Sequence, residues 1–147
     1  MELIVKTFSE LSVDELYEIY KLRVSVFVVE QNCPYQEADD YDRVSLHVYL
    51  KNETGICAYI RILPKNTVFD EVSIGRVIAV KRREGLGTRI VKEGIRIAHE
   101  RFKTDVIMIE AQTYVKSLYE KLGFEQISDE FLEDGIPHIK MRYQRNK

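Results

Sequence analysis

Val77-Ile78-Ala79-Val80-Lys81-Arg82-Arg83-Glu84-Gly85-Leu86-Gly87-Thr88 joins an apolar, β-branched run to a basic, glycine-containing turn, and a helical pattern begins directly after it. A strand that feeds a glycine turn and then a helix aims backbone N–H groups outward. The first N–H groups of a helix lack partners within it, and the macrodipole leaves that end partly positive. An anion placed there is held by the backbone itself. Gly85 and Gly87 keep Cβ atoms out of the way of such an approach. The stretch therefore predicts a phosphate-bearing ligand at the N-terminus of a helix starting near Gly85.

The spacing narrows the ligand. A Walker loop requires lysine after its last glycine, and a dinucleotide fingerprint requires glycine three residues after its second. Thr88 and Ile90 stand at those positions, so neither pattern fits. The spacing that does fit is Arg82-x-x-Gly85-x-Gly87. Alone, the same hexapeptide also describes a plain strand-to-helix turn with surface arginines, so its surroundings must decide.

The chain has 147 residues, which is most simply one domain, residues 1–147, able to bury roughly two-thirds of its unfolded surface. Hydrophobic residues make up 45% and the formal net charge is -2, so there is no general attraction to nucleic acid or to an anionic membrane. A polyanion needs a local basic patch, and Lys81, Arg82, Arg83 and Arg89 supply one where the phosphate would dock. Two cysteines, Cys33 and Cys57, have no metal-ligand spacing and are too few for a disulfide framework, so no metal is expected. No signal-peptide pattern or membrane-length apolar run is present, and a cytoplasmic location follows as the expectation.

Leu3-Ile4-Val5 reads as a short strand, and Ser12 with Glu15 as a capping box. Leu16, Ile19, Tyr20, Val24, Phe27 and Val28 recur at helical spacing, which predicts one buried face. The stretch from Glu37 to Asp42 reads as a solvated acidic loop. Leu46–Leu50 and Ile56–Ile62 alternate as strands joined by a turn at 52–55, and a third strand covers about Ser73 to Val80. The helix after the glycine turn buries Leu86, Ile90, Gly94, Ile97 and Ala98; Val106–Ile109 is a buried strand parallel to its predecessor across that helix. A short helix from Tyr114 to Leu122 stops at Gly123, and Phe124 and Ile136–Tyr143 give the last strands. The fold class is α/β (α+β), with a mixed, mostly antiparallel sheet flanked by helices.

Arg82-x-x-Gly85-x-Gly87 resembles the pyrophosphate loop of the GNAT superfamily of acyl-CoA N-acyltransferases. Ser117-Leu118-Tyr119-Glu120-Lys121-Leu122-Gly123-Phe124 is similar to its other signature, and the order of elements matches over essentially the whole chain. Three further stretches, Leu22–Tyr35, Ser73–Ile78 and Phe131–Met141, resemble the ElaA-like bacterial branch. Between Arg76 and Arg82 the chain is about two residues shorter than that branch, a change that leaves strand sidedness intact. The resemblance implies a GNAT fold whose central parallel pair splays apart to admit the pantetheine arm of acetyl-CoA.

It also implies roles. Val77, Ile78, Ala79 and Val80 would meet the pantetheine arm, and Arg82, Arg83, Glu84, Gly85, Leu86, Gly87 and Thr88 would cradle the pyrophosphate. Gln112 and Tyr119 complete the cofactor contacts. Tyr119 stands where the family often places a phenol against the CoA sulfur as general acid. Its helical spacing with Val115, Leu118 and Leu122 equally fits plain core. A carboxylate or histidine must take the amine proton, and His138 and Glu30 are the leading candidates, with His47 and Glu110 behind them. Cys33 lacks a His–Asp constellation, and direct transfer needs no acyl-enzyme. The implied activity is acetyl transfer to a primary amine of a small molecule or peptide, in a chain that could pair as a homodimer. An acyl-CoA sensor without turnover, and a domain that binds no nucleotide, are the alternatives. The acidic loop hints at a cationic acceptor.

Overall fold

A computed structural model describes residues 1–81 and 85–145. Among the described residues eight strands form one sheet: β1 (Glu2–Thr7), β2 (Leu46–Asn52), β3 (Gly55–Leu63), β4 (Ser73–Ala79), β5 (Val106–Gln112), β6 (Phe124–Gln126), β7 (Phe131–Glu133) and β8 (Ile136–Gln144). Their order across the sheet is β1-β2-β3-β4-β5-β8-β6, with β7 on the remaining part of β8. Every pairing is antiparallel except β4 with β5. The parallel pair needs a crossover, and α2 (Leu86–Phe102) supplies it.

Strand alternation divides the core between two faces. Val48, Leu50, Ala58, Ile60, Ile62, Ile74, Ile107, Ile109 and Ile139 lie under α2, against Ile90, Val91, Ile97 and Ala98. A Cβ at Gly94 would stand 2.8 Å from the Ile60 side chain, so a residue without one brings this helix close to the sheet. Each fully buried aliphatic side chain of this face contributes about 1.5–3 kcal/mol. On the opposite face, Ile19 of α1 (Val13–Val24) packs on Tyr49, Tyr59 and Ile78.

The Ser12–Glu15 capping box forms as the sequence indicates: Glu15 N–H donates to Ser12 Oγ at 3.0 Å, and Ser12 N–H to Glu15 Oε1 at 2.9 Å. Beyond Val24 the helix departs from simple periodicity. Residues Ser25–Glu30 widen into a π-helix, Val24 is exposed, and the buried place on that face goes to Arg23. Two sequence expectations change with it. The segment Glu37–Asp42 is not a solvated loop, because Glu37 and Asp42 are 3% and 1% exposed. Arg23 donates from Nε to Glu37 at 3.0 Å and from Nη1 to Asp42 at 2.8 Å. Arg61 donates to Asp39 at 2.6 Å and Asp42 at 2.9 Å, and Arg76 to Glu37 at 2.5 Å. These carboxylates are neutralised by three arginines from α1, β3 and β4, so they no longer argue for a cationic acceptor.

His47, the second change, lies fully buried in the same cluster, away from the cleft described below. Its Nε2–H faces the Asp42 carbonyl at 2.9 Å, and because Arg23 Nη1 donates to the Tyr59 hydroxyl at 3.4 Å, the Tyr59 hydrogen is left to go to Nδ1 at 2.7 Å, an arrangement that suits the neutral ring. Burial pushes its pKa down, against the opposing pull of Asp42. The native state thus binds fewer protons than the unfolded chain below the ordinary histidine value of about 6.5. Stability contributed by the neutral ring is present above that value and declines as pH falls toward the folded pKa, by up to about 1.4 kcal/mol per pH unit. Urea denaturation of wild type and His47→Gln between pH 7.5 and 5.5 tests this (~2 pH units). The expected result is a steeper acid-side loss in wild type; identical slopes would remove the effect.

Candidate active site

β4 and β5 are bonded at one end only. Ser73 pairs with Met108, and Met108 N–H donates to the Val72 carbonyl at 2.9 Å. Beyond that point the strands diverge, and a cleft of about 1020 Å³ opens between them. β4 meanwhile holds to β3, with Val80 N–H reaching the Cys57 carbonyl at 2.9 Å. The divergence begins beside a bulge: Arg76 adopts φ +54 where the β3–β4 register slips, between the Tyr59–Ile78 and Arg61–Gly75 pairs. A bulge bends its strand and raises its twist, which turns β4 away from β5. It also breaks the alternation the sequence implied for this run, and sends the Arg76 guanidinium to Glu37. Along the splay, the β4 edge that faces β5 has no strand partner among the described residues, which leaves backbone polar groups for a ligand.

The cleft runs onto the N-terminus of α2. Gly85 takes φ +74, a left-handed conformation that glycine adopts without strain. The first helical bond runs from Arg89 N–H to the Gly85 carbonyl at 3.0 Å, so the N–H groups of Leu86, Gly87 and Thr88 have no helical partner. Gly85 to Thr88 line the cleft, as do Val77, Ile78, Ala79 and Val80. Ile78 turns its side chain into the α1-side core, while Val77 and Ala79 pack toward the α2 side, so this run presents main chain to the cleft. Arg82, Arg83 and Glu84, also expected at the pyrophosphate, lie outside the described residues.

Gln112, at the end of β5, and Tyr119 in α3 (Lys116–Lys121) line the same cleft. Tyr119 is 4% exposed, its ring edge-on to Phe124 at 5.7 Å, and its hydroxyl has no hydrogen-bond partner among the described residues. Burial, with a smaller contribution from Tyr114, pushes its phenol above the ordinary tyrosine range. His138 also lines the cleft. Its Nδ1–H donates to the Ile136 carbonyl at 2.7 Å, which leaves the Nε2 lone pair as acceptor, and its ring stacks on Phe131. Glu30 lies on the exposed edge of the cleft, at the end of the π-helix. Glu110 lines it half-buried, its carboxyl pushed up by burial and by the Glu133 charge against the pull of Lys140 and His138. Cys33 touches the cleft wall and donates its thiol to the Asp134 carbonyl at 3.6 Å, linking the loop after the π-helix to the β7–β8 turn.

Arg61 and Ser73 are among the lining residues that the sequence reading did not name as candidates. They are 3% and 1% exposed, and Arg61 Nε and Ser73 Oγ have no hydrogen-bond partner among the described residues. Ser73 opens one of the branch-like stretches and Arg61 is a polar residue within an otherwise buried strand, but neither signal says what the side chain does.

The acetyltransferase (GNAT) domain family matches residues 7–145. A UPF0039 protein of Schizosaccharomyces pombe is 38% identical over 148 residues, covering 98% of this chain and 97% of that one. ElaA of Escherichia coli is 36% identical over 137 residues, 90% of each chain. The crystal structure of Escherichia coli ElaA superposes with a TM-score of 0.91 at 34% identity, covering 98% of this chain and 100% of that one. That of an acyl-CoA N-acyltransferase from Pseudomonas aeruginosa does so with a TM-score of 0.90 at 34% identity, covering 97% and 99%.

Proposed function

Because the chain belongs to the GNAT acetyltransferase family, we propose that it moves an acetyl group from acetyl-CoA to a primary amine by direct transfer. The observation that carries this is one continuous cleft. It joins the unpaired edge of β4, the free first turn of α2 and the unpartnered Tyr119 hydroxyl. Main chain from Val77 to Val80 pairs with the pantetheine arm, and Gly85 to Thr88 hold the pyrophosphate by the N–H groups the helix leaves over.

His138 Nε2 takes the proton of the attacking amine, and its bond to Ile136 keeps that lone pair toward the cleft. Glu30 at the mouth serves the same proton through water on its way to solvent. The neutral amine nitrogen then bonds to the thioester carbon, the carbon–sulfur bond breaks as the Tyr119 hydroxyl donates a hydrogen bond to the departing thiolate, and the second nitrogen proton ends on that sulfur. The products are an N-acetyl amine and CoA. Both cysteines are free and buried, in keeping with a cytoplasmic setting.

Titration calorimetry with acetyl-CoA on wild type and Gly85→Arg tests the loop. A side chain at φ +74 is strained by about 1–3 kcal/mol, and at this position it also crowds the pyrophosphate. The expected result is binding by wild type and at least ~10-fold weaker binding by the variant. Absence of binding by wild type would sink the transferase reading. Binding without acetylation of any amine would favour an acyl-CoA sensor.

A further inference from the structure

On the β5 side, the wide end of the cleft is bounded by β5 and β8. Register sets Lys140 opposite Glu110 and His138 opposite Gln112, so these four side chains share one face of the sheet. Glu110 and His138 are diagonal neighbours, about 7–8 Å apart at the backbone, and both line the cleft. Glu110 is half-buried, and its carboxylate has no hydrogen bond or ion pair among the described residues. The partner that register offers is diverted. Lys140 Nζ lies over the rings of Phe69 and Phe131, 6.0 Å from each centroid.

A half-buried carboxylate without a counter-ion bears the cost of desolvation with nothing to offset it. The cleft has no cation to spare for it. Of the cationic side chains that line it among the described residues, Arg61 and Arg76 are matched by Glu37, Asp39 and Asp42, and Lys81 follows β4 at the α2 end. Glu133 and Asp134, where β7 turns into β8, add negative charge to the same wall. An arriving ammonium therefore gains a counter-ion here, whereas an arriving carboxylate meets like charge. The Tyr119 hydroxyl is an independent sign that this cleft receives a ligand: the residue is 4% exposed, lines the same space and bonds no described residue.

We propose that Glu110 is the carboxylate that receives the ammonium of the acceptor, and that the acceptor is an amine with no carboxylate beside its nitrogen. Docked on Glu110, the ammonium lies on the face that carries His138, whose Nε2 takes one of its protons before attack. Glu110 stays ionised throughout. The fate of the nitrogen rests on the transferase reading; its docking does not. The class named is that of alkyl and arylalkyl amines, diamines and lysine side chains, as against free amino acids.

The test is calorimetric, on CoA-saturated protein, with three matched sets: phenethylamine, phenylalaninamide and phenylalanine; 3-methylbutylamine, leucinamide and leucine; cadaverine, lysinamide and lysine. At about pH 6.5, below the roughly 7.7–8.0 of an ordinary α-amino group, every member carries an ammonium. In at least one set, wild type is expected to bind the amine and the amide about tenfold tighter or better than the acid. Glu110→Gln is expected to weaken the amine and the amide about tenfold and to narrow their lead over the acid. Its acetyl-CoA affinity and urea midpoint should match wild type, and Glu110→Asp should recover part of the loss. An amide as weak as the acid would make size rather than charge the cause, and overturns the proposal. So do equal affinities within every set, absence of amine binding, and a Glu110→Gln variant that either behaves as wild type or loses acetyl-CoA as well. Acetyl transfer is followed in parallel with acetyl-CoA. Discriminating binding without transfer would keep the Glu110 assignment and remove the transferase reading; transfer that ignores the carboxylate would do the reverse.

Discussion

Replacing Tyr119 by phenylalanine is expected to lower kcat by about 10²–10³-fold while leaving KM for acetyl-CoA within about threefold. The size follows from losing one positioned donor at the atom where charge develops in the transition state. The variant isolates that donor. The Tyr119 ring packs edge-on to Phe124 and phenylalanine retains that contact, while no described residue bonds the hydroxyl. Stability should therefore change little, and a matching urea midpoint would confirm that only chemistry was touched. A kcat equal to wild type would return Tyr119 to the plain core role that its spacing with Val115, Leu118 and Leu122 also fits.

The direction of the phenol's pKa refines what the hydroxyl does. An ordinary phenol at about 10 is a weaker acid than an ordinary thiol at about 8.5, and burial moves Tyr119 further up. Transfer to a solvated thiolate is uphill by more than about 2 kcal/mol on that account. The departing thiolate forms in the same desolvated cleft, however, and desolvation raises its proton affinity in the same way. Tyr119 thus stays protonated across the working range and donates a hydrogen bond that strengthens as sulfur gains charge. A consequence is that no alkaline limb from this phenol should enter the kcat profile below about pH 10. A descending limb near pH 8 that vanishes in Tyr119→Phe would contradict the raised pKa.

Much of this site was legible in sequence because its elements are local. The glycine turn, the helix it starts and the Tyr119 segment each lie within a dozen residues, and short-range patterns specify them. The capping box at Ser12 and Glu15 was readable for the same reason. What sequence hid is long-range. Glu37 to Asp42 looks solvated until Arg23, Arg61 and Arg76 arrive from three other elements, 14 to 39 residues away. Alternation put His47 on one strand face or the other, without saying that this face is covered by Tyr59 and Asp42. The bulge at Arg76 had a marker in Gly75, a lone glycine inside a strand pattern, but two-residue alternation alone does not turn it into a bulge. The unpaired state of Arg61 Nε and Ser73 Oγ depends on which groups the fold brings beside them, which no local pattern encodes.

The same buried network should produce the largest stability effect in the molecule. Arg23 is 0% exposed and donates to both carboxylate oxygens of Glu37 and both of Asp42. Burial works against the Asp42 carboxylate, but Arg23 and Arg61 outweigh it and hold its carboxyl below the usual range. Removing one partner from a buried ion cluster costs about 3–5 kcal/mol, because the charges left behind remain desolvated. Arg23→Met keeps the length of the chain and its packing on α1, so its loss reports the unpaired carboxylates. Arg76 still holds Glu37 and Arg61 still holds Asp42, which places the expected loss near the lower end, about 3 kcal/mol. For a domain of this size that lowers Tm by roughly 6–12 °C. Arg23→Lys restores charge but not the fork, and should recover only part of the loss. A shift below about 1 kcal/mol would mean that water or the two remaining arginines satisfy the carboxylates. Function should follow stability in one specific way. The network anchors the segment that carries Tyr35, Gln36 and Asp39 over the wide end of the cleft, whereas the α2 terminus is built by different elements. Arg23→Met is therefore expected to raise KM for the amine more than KM for acetyl-CoA, and equal changes in both would show that the network serves only the fold.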